Sequence, residues 1–240
     1  MKKIIIRQPA GIGDIFFTQK IAYILHETYK VDIIWPVISP FIWVKDYIKT
    51  SFIEFVNWDD NFEGKEILIN NDVSNIFSLN DYLVIPLQRA DWNYPNLSVM
   101  DSKYELVGLK NEGREHYFSF ERNLEKENKL YYDVLKLTDE SNYTLINRQF
   151  ASPPDTQVCP HIDISKFSNY IEMSYVEGYN LLDWCKVIEN AKEIHTVETS
   201  LNYIIDKLNL DIPLNMYSKH TPPSYNQVQH LFKSNWKYNG

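Results

Sequence analysis

Short apolar runs alternate with helical patterns over the first forty residues of the chain. Residues 4–6 form a β-branched run that a proline and a glycine turn cut off, which is typical of a buried parallel strand. Residues 14–27 predict a helix with Asp14 at its N-cap, and four apolar residues recur there at helical spacing: Phe17, Ile21, Ile24 and Leu25. Residues 31–38 predict a second strand. The order strand, helix, strand predicts a right-handed βαβ unit.

The middle of the chain has a less regular pattern. Three segments between polar turns are strand-like, at residues 52–56, 66–69 and 82–86. Residues 121–137 are rich in charge, and their apolar positions recur at helical spacing, which predicts a helix that links two halves.

The second half of the chain again alternates strands with helices. Four strands are predicted, at residues 143–150, 170–178, 193–197 and 210–217. Helices are predicted after Asn180, after Thr199 and Ser200, and at residues 227–233. We therefore expect an α/β protein with two small Rossmann-like domains, residues 1–130 and residues 140–240, each built on a parallel sheet.

Composition restricts the class of protein. The 240 residues are 44% hydrophobic and 23% charged, which indicates a globular chain rather than a disordered one. The net charge of −8 offers no general attraction to nucleic acid or to an anionic membrane. No uncharged stretch reaches the roughly 18 residues of a membrane span, and the two cysteines are too few for a disulfide framework. These features predict a cytoplasmic protein.

The first candidate site is the turn at residues 10–14, between a strand and a helix. Gly11 and Gly13 let backbone N–H groups approach a bound anion or sugar closely. Asp14 has two interpretations at this stage: it caps the helix, or it acts as a general base toward a bound hydroxyl. The spacing fits neither a dinucleotide-binding glycine motif nor a P-loop.

The second half offers candidate residues at the predicted carboxyl ends of strands, where α/β sheets bind ligands. Thr199 and Ser200 supply hydroxyl and N–H groups at a helix start, a suitable cradle for a diphosphate, and Glu198 is placed to bind ribose hydroxyls. Arg148 has the planar guanidinium that binds phosphate in a bidentate way, and Lys219 is a weaker candidate of the same kind. Each also has a plain structural interpretation, as a helix cap or a surface ion pair.

Several common kinds of site are not supported by the spacing of residues. The six histidines form no zinc-binding pattern, and there is no Asp-x-Asp pair of the kind that holds a metal in many sugar transferases. A nucleophile elbow of the form G-x-S-x-G is also missing. We expect no metal and no cofactor.

Two segments carry a resemblance to a known family. Residues 4–15, Ile-Ile-Ile-Arg-Gln-Pro-Ala-Gly-Ile-Gly-Asp-Ile, together with Thr18, resemble the N-terminal signature of the heptosyltransferase-like glycosyltransferases. Residues 190–203 look like the C-terminal motif of the same family, in which an alanine precedes a strand and an Asp-Thr-Gly/Ser-Leu turn opens a helix. Both segments lie where the sequence pattern places candidate ligand sites.

The resemblance implies a GT-B fold, with two Rossmann-like domains that face a central cleft, and an inverting transfer that needs no metal. It implies that Asp14 is the general base and Gly13 the turn glycine. Glu198, Thr199 and Ser200 would match the turn that binds the phosphates of a nucleotide-sugar donor, with Arg148 nearby. The N-terminal domain would hold a carbohydrate or other hydroxyl acceptor, and the C-terminal domain would hold the donor, which is a co-substrate.

The chain departs from the family pattern at two positions of the C-terminal motif. Glu198 replaces the usual aspartate, and Tyr203 stands where a histidine is typical. Two alternatives therefore stay open beside the glycosyltransferase: a nucleotide-sugar-binding or assembly protein without turnover, and a glycosyltransferase that acts on modified DNA bases. The acidic net charge weighs against a nucleic-acid partner.

Overall fold

The computed structural model describes residues 1–71, 74–150, 156–219 and 224–239. The chain divides into two compact units, Met1–Glu121 and Arg122–Gly240. Each unit has its own five-stranded sheet with helices, so the predicted α/β class is confirmed. Among the described residues, no helix is long and apolar enough to cross a lipid bilayer.

The sheet of the first unit has the order β3-β2-β1-β5-β4. Its strands are β1 (Lys3–Ile6), β2 (Ile33–Val37), β3 (Ile53–Asn57), β4 (Phe77–Leu79) and β5 (Tyr82–Ile85). All neighbours are parallel except β4 and β5. Ile4, Ile5 and Ile6 are fully buried at the centre, as their β-branched run predicts. After β1, the chain adds β2 and β3 on one side of it. It then returns to add β5 and β4 on the other side of β1, so the strand order reverses between β1 and β5.

Among the described residues, the first unit has six α-helices. Four of them connect strands: α1 (Ile12–Phe17), α2 (Gln19–Tyr29), α3 (Val44–Tyr47) and α4 (Lys65–Asn70). The other two, α5 (Ala90–Asn93) and α6 (Val99–Leu106), follow the last strand. The predicted helix over residues 14–27 is interrupted at Thr18, whose hydroxyl donates to the Asp14 carbonyl. The N-cap of α1 is Gly11, so the prediction that Asp14 caps this helix is wrong.

The predicted strand at residues 66–69 is also wrong, because these residues lie in α4. A short apolar run cannot by itself distinguish a strand from a buried helical turn. Gly64 favours the helix here. Its backbone has the left-handed conformation and forms the N-cap of α4, and its missing side chain leaves room for the Ile5 methyl group. Ile67 and Leu68 then pack into the core around Ile5.

The sheet of the second unit has the order β12-β11-β10-β6-β9 and is parallel throughout. Its strands are β6 (Thr144–Asn147), β9 (Tyr170–Glu172), β10 (Glu193–Val197), β11 (Leu214–Tyr217) and β12 (Trp236–Asn239). Between β6 and β9, β7 (Gln149–Phe150) and β8 (Gln157–Val158) pair antiparallel outside this sheet. If the five strands of this sheet are numbered 1 to 5 along the chain, their order across the sheet is 2-1-3-4-5. The direction in which the chain adds strands therefore reverses between β6 and β10.

In the described part of the second unit there are three α-helices: α7 (Leu124–Asn128), α8 (Cys185–Glu189) and α9 (Leu201–Leu208). A π-helical segment, Lys129–Val134, continues α7. The predicted cap at Asn180 is confirmed, because its side chain accepts from the Leu182 amide at the start of a 3₁₀ turn that leads into α8.

The predicted helix at residues 227–233 is wrong. Two 3₁₀ turns, Ser224–Gln227 and Gln229–Leu231, occupy most of this segment, and β12 follows them. The sequence of β12 is mostly polar and has no clear strand pattern. Pairing with β11 and burial of Trp236 stabilise it as a strand, and both are tertiary effects.

Candidate functional site

The carboxyl ends of β1 and β5 stay joined beyond the sheet. The Arg7 amide donates to the Ile85 carbonyl at 2.9 Å, and the Gln88 amide donates to the Arg7 carbonyl at 3.1 Å. Gln8 and Leu87 therefore lie side by side at the point where the strand order reverses. In open α/β sheets this is the place where ligands bind.

A buried lysine organises this edge of the first unit. Lys103, on α6, is only 2% exposed, and its Nζ donates to Gln8 Oε1 and to the Leu87 carbonyl, both at 2.9 Å. The same Nζ lies 3.1 Å from Asp14 Oδ1. An ammonium group has three donors, and here three acceptors from three segments receive them. The ion pair fixes the Asp14 carboxylate at the end of β1.

The sequence patterns did not identify Lys103 or Gln8. One signal for α6 was present, because Ser98 caps the helix by accepting from the Asp101 amide, a spacing typical of helix starts. From its residue type alone, Lys103 would still be predicted to be exposed, since lysine is rarely buried without a partner.

The Asp14 side chain folds back over the start of its own helix. Asp14 is the third residue of α1 and Gly13 the second, so both lie in the first helical turn. One carboxylate oxygen contacts Lys103, and the other lies against Gly11, where an added Cβ would be 2.1 Å from Oδ2. The side chain is 24% exposed. A carboxylate that is anchored on one oxygen and still reaches solvent can accept a proton from a bound hydroxyl.

Gly11 is expected to be indispensable at its position. Its φ of 84° is unfavourable for other residues, and a Cβ would displace the Asp14 carboxylate. Gly11→Ala should lower the free energy of unfolding by about 1–2 kcal/mol from the backbone alone, with a further loss from the clash. Gly108→Ala is the matched control, because Gly108 also has a positive φ but faces open space. Equal losses in denaturant unfolding would contradict the contact with Asp14.

In the second unit, hydrogen bonds join the carboxyl ends of β6 and β10. Asn147 Nδ2 donates to Thr196 Oγ1 at 3.0 Å and to Thr199 Oγ1 at 3.3 Å. The Thr199 amide donates to Asn202 Oδ1 at 2.7 Å, so it is already used within the protein. Ser200 is the N-cap of α9, and its hydroxyl makes no cap bond to the start of the helix.

Glu198 is buried, and it forms hydrogen bonds to the end of β11 and to the segment that follows it. It is 5% exposed, and its Oε1 accepts from the Lys219 amide at 3.1 Å. The Glu198 amide donates to the Tyr217 carbonyl. The residue therefore ties the end of β10 to the segment after β11, and Lys219 contributes its backbone to this contact.

Arg148 follows β6, and its guanidinium is paired with a residue that the sequence patterns did not single out. Nε and Nη2 both lie 2.8 Å from Glu172 Oε1, at the end of β9. This hydrogen bond raises the pKa of Arg148. The Arg148 side chain as a whole is 23% exposed.

His195 lies inside the sheet rather than at the turn that follows β10. Its Nδ1 is 2.9 Å from the Tyr217 hydroxyl, and its Nε2 is 3.0 Å from Glu193 Oε1. Burial lowers the pKa of His195 and raises that of Tyr217. Both groups are therefore uncharged near neutral pH, which fits a structural role.

Over the described part of the chain, no group of three or more histidine, cysteine, aspartate or glutamate side chains is placed to hold a metal ion. The predicted site residues thus form two clusters. Gly11, Gly13 and Asp14 lie together in the first unit. Arg148, Glu198, Thr199, Ser200 and Lys219 lie at the carboxyl edge of the sheet in the second unit.

Comparison with known proteins identifies the fold. No protein-family model and no curated protein matches the chain. The structure is similar to a glycosyl transferase family 9 protein from Veillonella parvula, with a TM-score of 0.55 and 11% identity over 99% of this chain and 85% of that chain. It is also similar to TibC, an iron-containing dodecameric glycosyltransferase from enterotoxigenic E. coli, with a TM-score of 0.51 and 9% identity over 100% of this chain and 63% of that chain.

A third solved structure, E. coli ADP-heptose lps heptosyltransferase II, has a TM-score of 0.49 and 13% identity over 100% of this chain and 90% of that chain. At these identities the similarity shows the fold alone. The chain has a GT-B-like α/β fold, similar to that of the glycosyl transferase family 9 protein, and this confirms the fold that the resemblance implies.

Proposed function

We propose that this protein is an inverting glycosyltransferase that moves a sugar from a nucleotide-sugar donor to an acceptor hydroxyl without a metal. The observation that carries the proposal is the Asp14–Lys103 pair at the strand-order reversal of the first unit, in a fold shared with known glycosyltransferases. A fold alone does not define a function, whereas an anchored carboxylate at the ligand-binding edge supplies specific chemistry.

In this proposal the first unit binds the acceptor. Asp14 accepts the proton of the acceptor hydroxyl as the oxygen attacks the anomeric carbon of the donor sugar, and the bond from that carbon to the diphosphate breaks. Lys103 holds the carboxylate through Oδ1, and the side chain stays 24% exposed, so the substrate can reach it. A general base of this kind typically contributes about 10² to 10⁴ in rate.

The second unit binds the donor in the same proposal. Two groups stabilise the negative charge of the departing nucleoside diphosphate. They are Ser200, at the start of the eight-residue helix α9, and Arg148. Lys219 lies at the same edge, beside buried Glu198. Well-aimed donors of this type are typically worth about 3–4 kcal/mol each in the transition state.

The test of this function is turnover of a nucleotide-sugar panel. The protein is incubated with UDP, GDP, ADP, CMP and dTDP sugars together with a mixture of glycan acceptors, and release of the nucleotide product is measured. We expect release with one donor class that depends on the acceptor. The absence of release from every donor would contradict an active transferase.

Arg148 provides a prediction for the donor side. Arg148→Gln should weaken binding of the matching nucleoside diphosphate by roughly tenfold, because one charge-assisted hydrogen bond is lost. Calorimetric titration of the nucleotide measures this loss. Lys166→Gln is the control, since Lys166 is an exposed lysine of the same unit, paired only at the surface. Equal affinities of Arg148→Gln and the control would remove Arg148 from the donor site.

One observation favours a second function, that of a nucleotide-sugar-binding protein without turnover. Several polar groups of the second cluster already bond within the protein: the Thr199 amide to Asn202, Glu198 to the Lys219 amide, and Arg148 to Glu172. Fewer donors are then left to stabilise a leaving diphosphate. Tight binding of a nucleotide sugar without release of nucleotide would support this function over the transferase.

A further inference from the structure

A groove of about 430 Å³ runs along β3, the outer strand of the sheet in the first unit. Its volume lies within the roughly 300–1,000 Å³ of clefts that hold ligands. Residues 54–57 of β3 line it, together with Ile42 and Lys45 at α3 and residues 60–63 before α4. These lining residues do not include Asp14, Lys103 or Gly11, so the groove is separate from the candidate site.

The backbone of β3 has an open side. The Ile33 amide donates to the Phe52 carbonyl at 2.8 Å, and the Trp58 amide donates to the Val37 carbonyl at 2.7 Å. Successive residues of a strand point their N–H and C=O groups to opposite sides, so the even-numbered residues of β3 pair with β2. Phe55 therefore points its N–H and C=O away from β2, to the edge of the sheet. Among the described residues, none forms a hydrogen bond with these two groups.

Hydrogen bonds close this open side at both ends. The Ile53 amide donates to Thr50 Oγ1, and the Asp60 amide donates to the Asn57 carbonyl, both at 3.1 Å. Between them, the distance from Ile53 to Asn57 is about 13 Å at the ordinary rise of a strand. Unpaired N–H and C=O groups at the edge of a sheet are a template for another strand. The open side of β3 thus has the length of a short extended peptide.

The side of the groove near α4 carries carboxylates. Val56 and Phe62 pack against the core beneath α4. Side chains of a strand alternate between its two faces, so exposed Glu54 points to the same face as Val56. Asp60 and Glu63 lie close to Phe62 in the chain and line the groove as well. A strand added here would meet acidic groups on this face.

Two of these carboxylates keep their charge available to a partner. Glu63 is neutralised within the protein, because its oxygens lie 2.6 Å from Lys2 Nζ and 2.9 Å from Lys3 Nζ. Glu54 is 63% exposed and lies 3.6 Å from the same Lys3, which it shares with Glu63. The exposed Asp60 side chain forms no ion pair with any described residue. Glu54 and Asp60 can therefore attract a cation.

The opposite face of the groove has a different character. Right-handed crossovers put α3 and α4 on opposite faces, since α3 connects β2 to β3 whereas α4 follows the point where the chain turns back. Ile42 and Lys45 therefore line the face away from Glu54. Ile42 offers apolar surface, and the charge of Lys45 disfavours a cation there. The two faces together select alternating basic and apolar side chains.

We propose that the open edge of β3 binds an extended peptide segment of a partner protein, which adds a strand to the sheet and carries lysine or arginine at alternate positions. Main-chain hydrogen bonds to Phe55 give affinity, and the alternate side chains give specificity. A second copy of this edge fits less well, because it would bring its own Glu54 and Asp60 against the same carboxylates. This docking surface goes beyond the proposed transferase activity and does not depend on it.

The experiment measures peptide binding by fluorescence anisotropy with the full chain. The probe is a labelled heptapeptide of alternating lysine and valine. Three comparison peptides are the same composition arranged in two blocks, an alternating glutamate and valine peptide, and the probe with its central backbone amides methylated. We expect the comparison peptides to bind at least about tenfold more weakly than the probe, since they lose the charge pattern or the main-chain hydrogen bonds. No binding of the probe, or equal binding of its methylated form, would overturn the proposal.

A variant of the protein locates the binding. Asp60→Lys should weaken binding of the probe about fivefold, because a repulsion replaces an exposed ion pair. Glu105→Lys is the matched control, since Glu105 is an exposed acidic residue on α6 of the same unit and the net charge changes equally. Circular dichroism checks the fold of both variants. Equal losses in the two variants would show unspecific attraction and would contradict a site at β3.

Hydrogen exchange identifies the strand that is covered. The probe should slow exchange of the Phe55 and Asn57 amides at least about tenfold, because both point to the open edge. Unchanged exchange of these amides in the saturated complex would place the peptide elsewhere. Self-association of the wild type that protects the same two amides without any peptide would assign the edge to a second copy of the chain, and it would also overturn the proposal.

Discussion

Replacing Asp14 with asparagine is expected to reduce sugar transfer at least about a hundredfold and to leave donor affinity nearly unchanged. The amide keeps the size of the side chain but cannot accept the proton of the acceptor hydroxyl. A hundredfold loss corresponds to roughly 2.7 kcal/mol of barrier, which is in the range of a general base that has lost its function. Initial rates of nucleotide release and calorimetry of the donor measure the two quantities separately.

Asp32→Asn is the control for this change. Asp32 is an exposed residue at the opposite, amino-terminal edge of β2, so its loss should leave the transfer rate unaltered. Transfer by Asp14→Asn at close to the wild-type rate would exclude Asp14 as the general base. Loss of donor affinity together with rate would instead assign a binding role to Asp14.

Replacing Lys103 with methionine is expected to lower the free energy of unfolding by about 3–5 kcal/mol. The substitution keeps the length of the side chain but removes the ammonium, so Asp14 Oδ1, Gln8 Oε1 and the Leu87 carbonyl lose a donor at once. The loss is large because the Gln8 and Leu87 oxygens stay buried without this donor, while the Asp14 carboxylate, 24% exposed, keeps only solvent in place of the ammonium. Denaturant unfolding followed by circular dichroism measures the change.

Lys45→Met is the matched control, since Lys45 is an exposed lysine of the same unit. A loss of stability no larger than that of the control would show that the buried pair does not hold this edge together. The double variant Asp14→Asn with Lys103→Met provides a second measurement. Its loss of stability should be clearly smaller than the sum of the two single losses, because both changes remove the same interaction.

Local pattern predicted a large part of the fold. The β-branched run of residues 4–6 and the helical spacing that follows it identified the first βαβ unit, and its strands β1 and β2 are parallel neighbours. The alternation in the second half likewise predicted β6, β10 and α9. These elements bury most of their apolar residues, so their hydrophobic period is strong in the sequence.

Elements whose stability comes from distant partners were predicted poorly. β12 has a mostly polar sequence. It forms a strand because it pairs with β11 and because Trp236 is buried in the core. The apolar run at residues 66–69 became a helix because Gly64 and the space beside Ile5 favour that geometry. In both cases tertiary packing outweighs the local preference.

The candidate site divides in the same way. The sequence by itself determined that a glycine corner with an aspartate follows the first buried strand, because Gly11 tolerates a backbone conformation that other residues avoid. Only the tertiary structure determined which basic side chain forms the ion pair with that aspartate. Lys103 lies 95 residues from Gln8 along the chain, and its polar type predicts exposure. Its burial depends on three acceptors that packing alone brings together, and no local pattern encodes that arrangement.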